Sequence, residues 1–229
     1  MGSHAFPCGT PELTPHWQPS PNFGPRRDGA LPDLVVIHYT AMTDAAAACM
    51  RLCDPAAEVS AHYLISETGA AWHLVDEEKR AWHAGAGQWG HARDVNSRSI
   101  GIELANTGRH PFPEPQMCAL ETLLAGILSR WHIAPQGVIG HSDMAPGRKI
   151  DPGPRFDWRR LAQQDLSIWP VPVPPGDFHA DAKTFGYVCD DPDTLLSAFR
   201  DRFRPGATGP LSDADAALMA DLARRFPAP

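Results

Sequence analysis

No stretch of this 229-residue chain is apolar for long enough to cross a bilayer as a helix, so no membrane-spanning helix is expected. Positive charge is also scarce. Twenty lysines and arginines stand against 27 acids, a formal net charge of −7, which removes the footing that nucleic acid or anionic lipid would need. The five cysteines (8, 49, 53, 118 and 189) are scattered without paired metal-type spacing, so a cysteine-held metal cluster is excluded; they read as reduced, small, partly buried side chains. Reduced thiols fit a cytoplasmic location. Residues 1–17 lack the basic start and apolar run of a secretory leader. Met1-Gly2-Ser3-His4 has the look of an added tag, however, so a periplasmic location stays open if a leader was removed. What remains is ordinary globular material, 43% hydrophobic and 21% charged, enough for one core and a small appendage.

Histidine is plentiful, with 11 in the chain, and one of them anchors the most informative segment. In Gly140-His141-Ser142-Asp143-Met144-Ala145-Pro146-Gly147-Arg148-Lys149-Ile150-Asp151-Pro152-Gly153, a histidine, a lysine and an aspartate share one loop-like stretch behind the short apolar run 137–140. An extended path would turn Lys149 and Asp151 to the same side. This constellation points to a metal-centred hydrolytic site. A catalytic zinc takes three protein ligands and keeps one position open, and two imidazoles with one carboxylate form an accepted set. The partner histidine is His38, which closes Leu34-Val35-Val36-Ile37-His38-Tyr39-Thr40, a run apolar on both faces as a central strand would be. A third strand-like run, 99–106, alternates large and small residues and places its single acid, Glu103, on the small side. Gly101 and Ala105 then leave room around it, and a general base belongs there.

These residues, with Val59-Ser60-Ala61-His62-Tyr63-Leu64-Ile65 and Ala81-Trp82-His83-Ala84-Gly85, together resemble the zinc-dependent N-acetylmuramoyl-L-alanine amidases of type 2, the AmpD/AmiD-like family. The resemblance spans roughly residues 20 to 165. It implies an α/β fold, a mixed central β-sheet flanked by helices as in type 2 amidases and peptidoglycan-recognition proteins. It also implies one Zn2+ per chain, held by His38, His141 and Asp151, and a catalytic pair, Glu103 and Lys149. The implied reaction is hydrolysis of the amide between N-acetylmuramic acid, or its anhydro form, and L-alanine of the stem peptide. Muropeptides are the implied partners, in cell-wall turnover or recycling; oligomeric state stays open. His83, Asn106 and Arg148 are expected near the substrate, although His83 could equally support the ligands from behind or be purely structural. Some relatives carry a catalytic tyrosine before the histidine of the AHY motif, where this chain has Ala61, so Glu103 must act as base alone. The alternative is a non-catalytic peptidoglycan-recognition module of the same fold; such modules typically lose a ligand, whereas all five site residues are present here. A zinc hydrolase acting on an unrelated amide shares the same ligands, because fold and metal do not fix a substrate.

Most other histidines take the default reading. His4, His16, His91, His110, His132 and His179 are surface or structural, and His62 and His73 are hydrogen-bonded sheet residues. Along the chain, residues 1–30 form an extended, proline-rich lead-in and residues 31–166 the zinc amidase unit. Within it, 44–54 forms a short helix ended by Pro55. The apolar spacing of Met117, Leu120, Leu123, Leu124, Ile127, Leu128 and Trp131 predicts a longer helix packed on the sheet, and a further helix spans 157–165. Residues 167–177 are a proline-rich linker. Residues 178–229 resemble a small three-helix peptidoglycan-binding domain, with Asp191-Pro192 opening one helix and Ser212 with Asp215 forming a capping box for another. The bland reading of this part is a helical cap that only packs on the amidase.

Overall fold

Three short, largely buried runs rich in β-branched residues dictate the centre of the molecule. In the computed structural model, which describes residues 13–228, they become parallel neighbours in one sheet. His4 and Cys8 lie outside the described residues. The elements in chain order are β1 (His16–Trp17), β2 (Phe23–Pro25), β3 (Leu34–Tyr39), α1 (Ala45–Leu52), β4 (Tyr63–Ile65), β5 (Ala71–His73), β6 (Lys79–Ala81), α2 (Val95–Arg98), β7 (Ser99–Leu104), α3 (Glu114–Trp131), β8 (Val138–Gly140), α4 (His141–Met144), α5 (Trp158–Ala162), α6 (Phe178–Phe185), α7 (Pro192–Phe203) and α8 (Asp213–Arg225). The main sheet runs β1-β5-β4-β7-β3-β8, with β4, β7, β3 and β8 mutually parallel and β5 antiparallel to β4. A small antiparallel pair, β2 with β6, flanks it. The fold is therefore the expected α/β arrangement with a mixed sheet between helices. The lead-in segment contributes β1 to the sheet edge and β2 to the small pair.

The two faces of the sheet are covered differently. Val35, Ile37, Ile100, Ile102 and Val138 face α3, whose Met117, Leu120, Leu123, Leu124, Ile127 and Leu128 form the expected stripe. On the opposite face, Leu34, Val36 and Ile139 join a second core that also contains Met144, Trp89 and the inner residues of α6, α7 and α8. The carboxy-terminal helices thus share a core with the sheet. Asp191 caps α7 through the Thr194 amide, and Ser212 with Asp215 caps α8 reciprocally, as their sequence signals require. Asp44 caps α1 in the same manner.

Two expectations need correction. The segment after β8 is not wholly loop, because residues 141–144 make one helical turn. The Asp143 carboxylate accepts the Gly140 N–H at its start, and glycine at the cap hid that signal. Cys118 on α3 is disulfide-bonded, while Cys49, Cys53 and Cys189 are free thiols. Sulfur partnership depends on distance in space, which spacing along the chain did not reveal. No helix among the described residues is long and apolar enough to cross a membrane.

Because Leu124 is fully buried between α3 and the sheet, Leu124→Ala is expected to cost about 2–5 kcal/mol in equilibrium denaturation. Val188→Ala, at a position 47% exposed, is expected to stay within about 0.5 kcal/mol.

Candidate metal centre

Parallel pairing puts the chemistry at one end of the sheet. His38 on β3 is in register with Glu103 on β7, and Ile37 is in register with Gly140, the last residue of β8, so His141 begins where that strand stops. Three adjacent parallel strands therefore deliver His38, Glu103 and His141 to their common carboxyl-terminal edge. The chain then turns through 145–150 and returns Asp151, a closure tied by the Ser142 N–H to the Asp151 carbonyl at 2.9 Å. His38 Nδ1 and His141 Nδ1 lie 2.9 Å apart, and each is 3.0 Å from Asp151 Oδ2. All three residues are buried, and together they form a group able to hold a metal ion.

Hydrogen bonds behind this triangle fix which ring nitrogens carry protons. The Val95 carbonyl can only accept, so the Ser99 hydroxyl donates to it. Ser99 Oγ then accepts from His83 Nε2–H at 3.2 Å, His83 Nδ1 accepts from His38 Nε2–H at 3.0 Å, and His38 Nδ1 is left with a bare lone pair. His141 Nε2–H donates to the Ala84 carbonyl at 2.9 Å, baring its Nδ1 likewise. Burial, followed by the neighbouring His141, lowers the His38 pKa to about 4, so the ring is neutral near pH 7. Two bare imidazole nitrogens and a carboxylate oxygen thus aim at one point. The chemistry of this donor set fits a divalent metal ion, which His38, His141 and Asp151 would hold.

The surroundings are built for this arrangement. The Asn96 side-chain oxygen accepts the N–H groups of His83 and Ala84, at 3.0 and 2.8 Å, and so aligns both supports of the histidines. Gly101 is required because the His83 ring lies directly over it; a Cβ there would come within 2.4 Å of the ring. The room expected beside Glu103 at Gly101 is therefore filled by His83. His62 is structural, accepting the Gly101 N–H on Nδ1 and donating through Nε2 to the Lys79 carbonyl.

A cavity of about 540 Å³ opens over the triangle, its wall including His38, His141, Asp151, Glu103, Lys149, His83 and Arg148. Glu103 Oε2 is buried and has no hydrogen-bond partner among the described residues. Burial, reinforced by the Asp151 charge and opposed by Lys149, raises the Glu103 pKa to about 8. Arg148 donates to the Ala84 carbonyl at 2.7 Å, so it braces the support of His141 while lining the cavity. Asn106 is not on the cavity wall: its side chain accepts the Gly108 N–H and reaches His110, holding the 106–110 loop. Ala61 is fully buried and brings no hydroxyl to the site. Sequence reasoning missed Asn96 and Ser99, whose roles appear only through their partners.

A family model described as N-acetylmuramoyl-L-alanine amidase matches residues 28–154. The chain is 42% identical over 153 residues to N-acetylmuramoyl-L-alanine amidase AmiD of Escherichia coli, an alignment covering 60% of this chain and 54% of the relative, about half its length. It is similar to the solved complex of E. coli AmiD with anhydro-N-acetylmuramic acid-L-Ala-D-gamma-Glu-L-Lys, at TM-score 0.77 and 34% identity, covering 87% of this chain and 92% of that one. AmpDh3 of Pseudomonas aeruginosa, solved in complex with anhydromuramic pentapeptide, matches at TM-score 0.78 and 32% identity, covering 92% and 96% of the two chains.

Two outcomes follow from the geometry. His83→Ala breaks the proton chain behind His38 and is expected to weaken binding of a divalent metal ion by about 10- to 100-fold in a chelator-competition titration. For Glu103, a folded pKa of about 8 against an ordinary 4.5 means that the folded state holds the extra proton across that interval. Metal-free protein is therefore expected to lose stability as pH rises from about 4.5 through 8, and Glu103→Gln to lack that decline; parallel denaturation profiles for the two proteins would contradict this. With strands that converge on a two-histidine, one-aspartate group, and with a family match over more than half its length, this chain belongs to the N-acetylmuramoyl-L-alanine amidase family.

Proposed function

We propose that the protein is a zinc-dependent amidase that cleaves the bond between the lactyl group of N-acetylmuramic acid, or its anhydro form, and L-alanine of the stem peptide. The observation that carries this reading is the placement of a buried carboxyl, Glu103, whose Oε2 has no hydrogen-bond partner among the described residues, on the wall of the same cavity as the two-histidine, one-aspartate group. We assign His38, His141 and Asp151 as the ligands and Glu103 and Lys149 as the catalytic pair. When bound, zinc supplies Lewis acidity, lowering the pKa of water and polarising a carbonyl oxygen. The Glu103 carboxylate takes a proton from the attacking water and hands it to the leaving L-alanine nitrogen. A bound cation would favour the ionised form of this buried carboxyl, which is the form the base role requires. The Lys149 ammonium offsets the negative charge that develops on the carbonyl oxygen.

The relatives solved with anhydromuramyl peptides support this substrate class. The non-catalytic alternative is disfavoured, since all three donors and Glu103 surround one cavity. For compartment, the disulfide at Cys118 favours an oxidising environment over the cytoplasm expected from scattered thiols, and we place the protein there. This favours envelope material over internalised fragments as the natural source of substrate.

Glu103→Ala is expected to retain stoichiometric zinc by metal analysis while losing about 10²- to 10⁴-fold in turnover of an anhydromuramyl tripeptide, followed by release of the free peptide. Asp151→Ala is expected to lose both metal and activity. Near-normal turnover by Glu103→Ala would remove it from the mechanism, and failure of the parent protein to cleave the tripeptide would favour the recognition module.

A further inference from the structure

Helix α7 reaches the segment that carries His141, Lys149 and Asp151 at two points. Arg202 Nη1 donates to Asp143 Oδ2 at 2.6 Å, two residues after His141, and both side chains are almost completely buried. The same carboxylate accepts the Tyr187 hydroxyl at 2.7 Å and the Gly140 N–H at 2.7 Å. Arg202 Nη2 donates to the Val138 carbonyl at 2.9 Å and to Ser167 Oγ at 3.3 Å, and the guanidinium stacks 4.2 Å from the centre of the Trp158 ring. One arginine of the carboxy-terminal helices therefore grips β8, the start of α4 and the chain leaving α5. At the second point, Gly147 rests against Thr194; a Cβ at Gly147 would come within 2.9 Å of Thr194 Cγ2. Between these contacts lies the turn that brings Asp151 back beside His141.

The energetics favour a specific role. A buried carboxylate that loses its cation is strongly destabilising, and α4 is a single turn with little stability of its own. Any relaxation at Asp143 thus falls on the turn that begins with His141. The His141 and Asp151 donor atoms must stay within about half an ångström to share one ion. Other ion pairs of the helices, such as Arg200 with Asp215, link only α7 and α8.

We propose that Arg202 is a positioning residue for the metal centre: through Asp143, the carboxy-terminal helices hold His141 and Asp151 in chelating geometry. The proposal rests on the reading of His38, His141 and Asp151 as ligands, and it gives residues 178–228 a task separate from binding glycan.

The test uses the full chain with Arg202→Met, Arg202→Lys and, as a control, Arg200→Met. Two readouts are taken: Zn2+ affinity by chelator competition, and amide hydrogen exchange of metal-free protein. Arg202→Met is expected to weaken Zn2+ binding about tenfold or more and to speed exchange within 140–151, with α8 remaining protected. Arg202→Lys keeps the charge but loses the forked contact, so it is expected to fall between Arg202→Met and the parent, and it carries the test if Arg202→Met does not fold. Arg200→Met is expected to leave Zn2+ affinity within about twofold, since its partner is remote from the metal segment. An unchanged affinity in Arg202→Met, or in Arg202→Lys if only that folds, would overturn the proposal. An equal loss in Arg200→Met would also overturn it, by revealing general loosening. If the parent chain failed to bind Zn2+, the ligand assignment would fall; exchange at 140–151 would then decide the brace alone, faster exchange supporting it and unchanged exchange refuting it.

Discussion

Two imidazole nitrogens and a carboxylate oxygen, all lone-pair donors, are driven to about 3 Å from one another in a buried site. Such groups repel unless a cation sits among them, so the surrounding structure must pay to hold them together. Much of the local architecture answers to that demand. The Val95 carbonyl, Ser99, His83 and His38 form a chain of single-direction hydrogen bonds, so one backbone acceptor determines which face of a distant imidazole is bare. Ala84 does the same for His141 with one contact. Asn96, by fixing the amides of residues 83 and 84, ties both supports to the single turn of α2.

Sheet topology supplies the convergence. In a parallel sheet neighbouring strands end together, and the in-phase pairing of His38 with Glu103 puts an imidazole and a carboxyl side by side on one face. Their neighbours on alternate positions, Val35, Ile37, Ile100 and Ile102, fall on the other face and build the core against α3. One strand thus serves two purposes through its period of two. The site face is then closed away from the cavity by α6, α7 and α8, whose core continues through Met144 into the turn that holds His141.

Several features were legible in the chain alone. The apolar runs ending at His38 and Gly140 announced buried strands, the three-and-four spacing from Met117 to Leu128 announced α3, and local capping chemistry announced α7 and α8. These are short-range effects, written in residues close together. The donor set was legible as well, because two imidazoles and a carboxylate are an uncommon chemical combination at strand ends. What stayed hidden depends on contacts between distant residues. Ser99 looks like any strand serine until His83 is laid over Gly101. Asn106 looks as available to substrate as Arg148, yet only Arg148 lines the cavity.

By itself, then, the sequence determined the strands, the long helices and the kinds of atom available to a metal, because propensity, periodicity and ligand chemistry act locally. Only the tertiary structure decided which histidine supports which, that Cys118 is bonded, and that Arg202 closes on Asp143 across 59 positions of chain. Those outcomes rest on burial and on hydrogen-bond direction, and neither exists until the chain has folded.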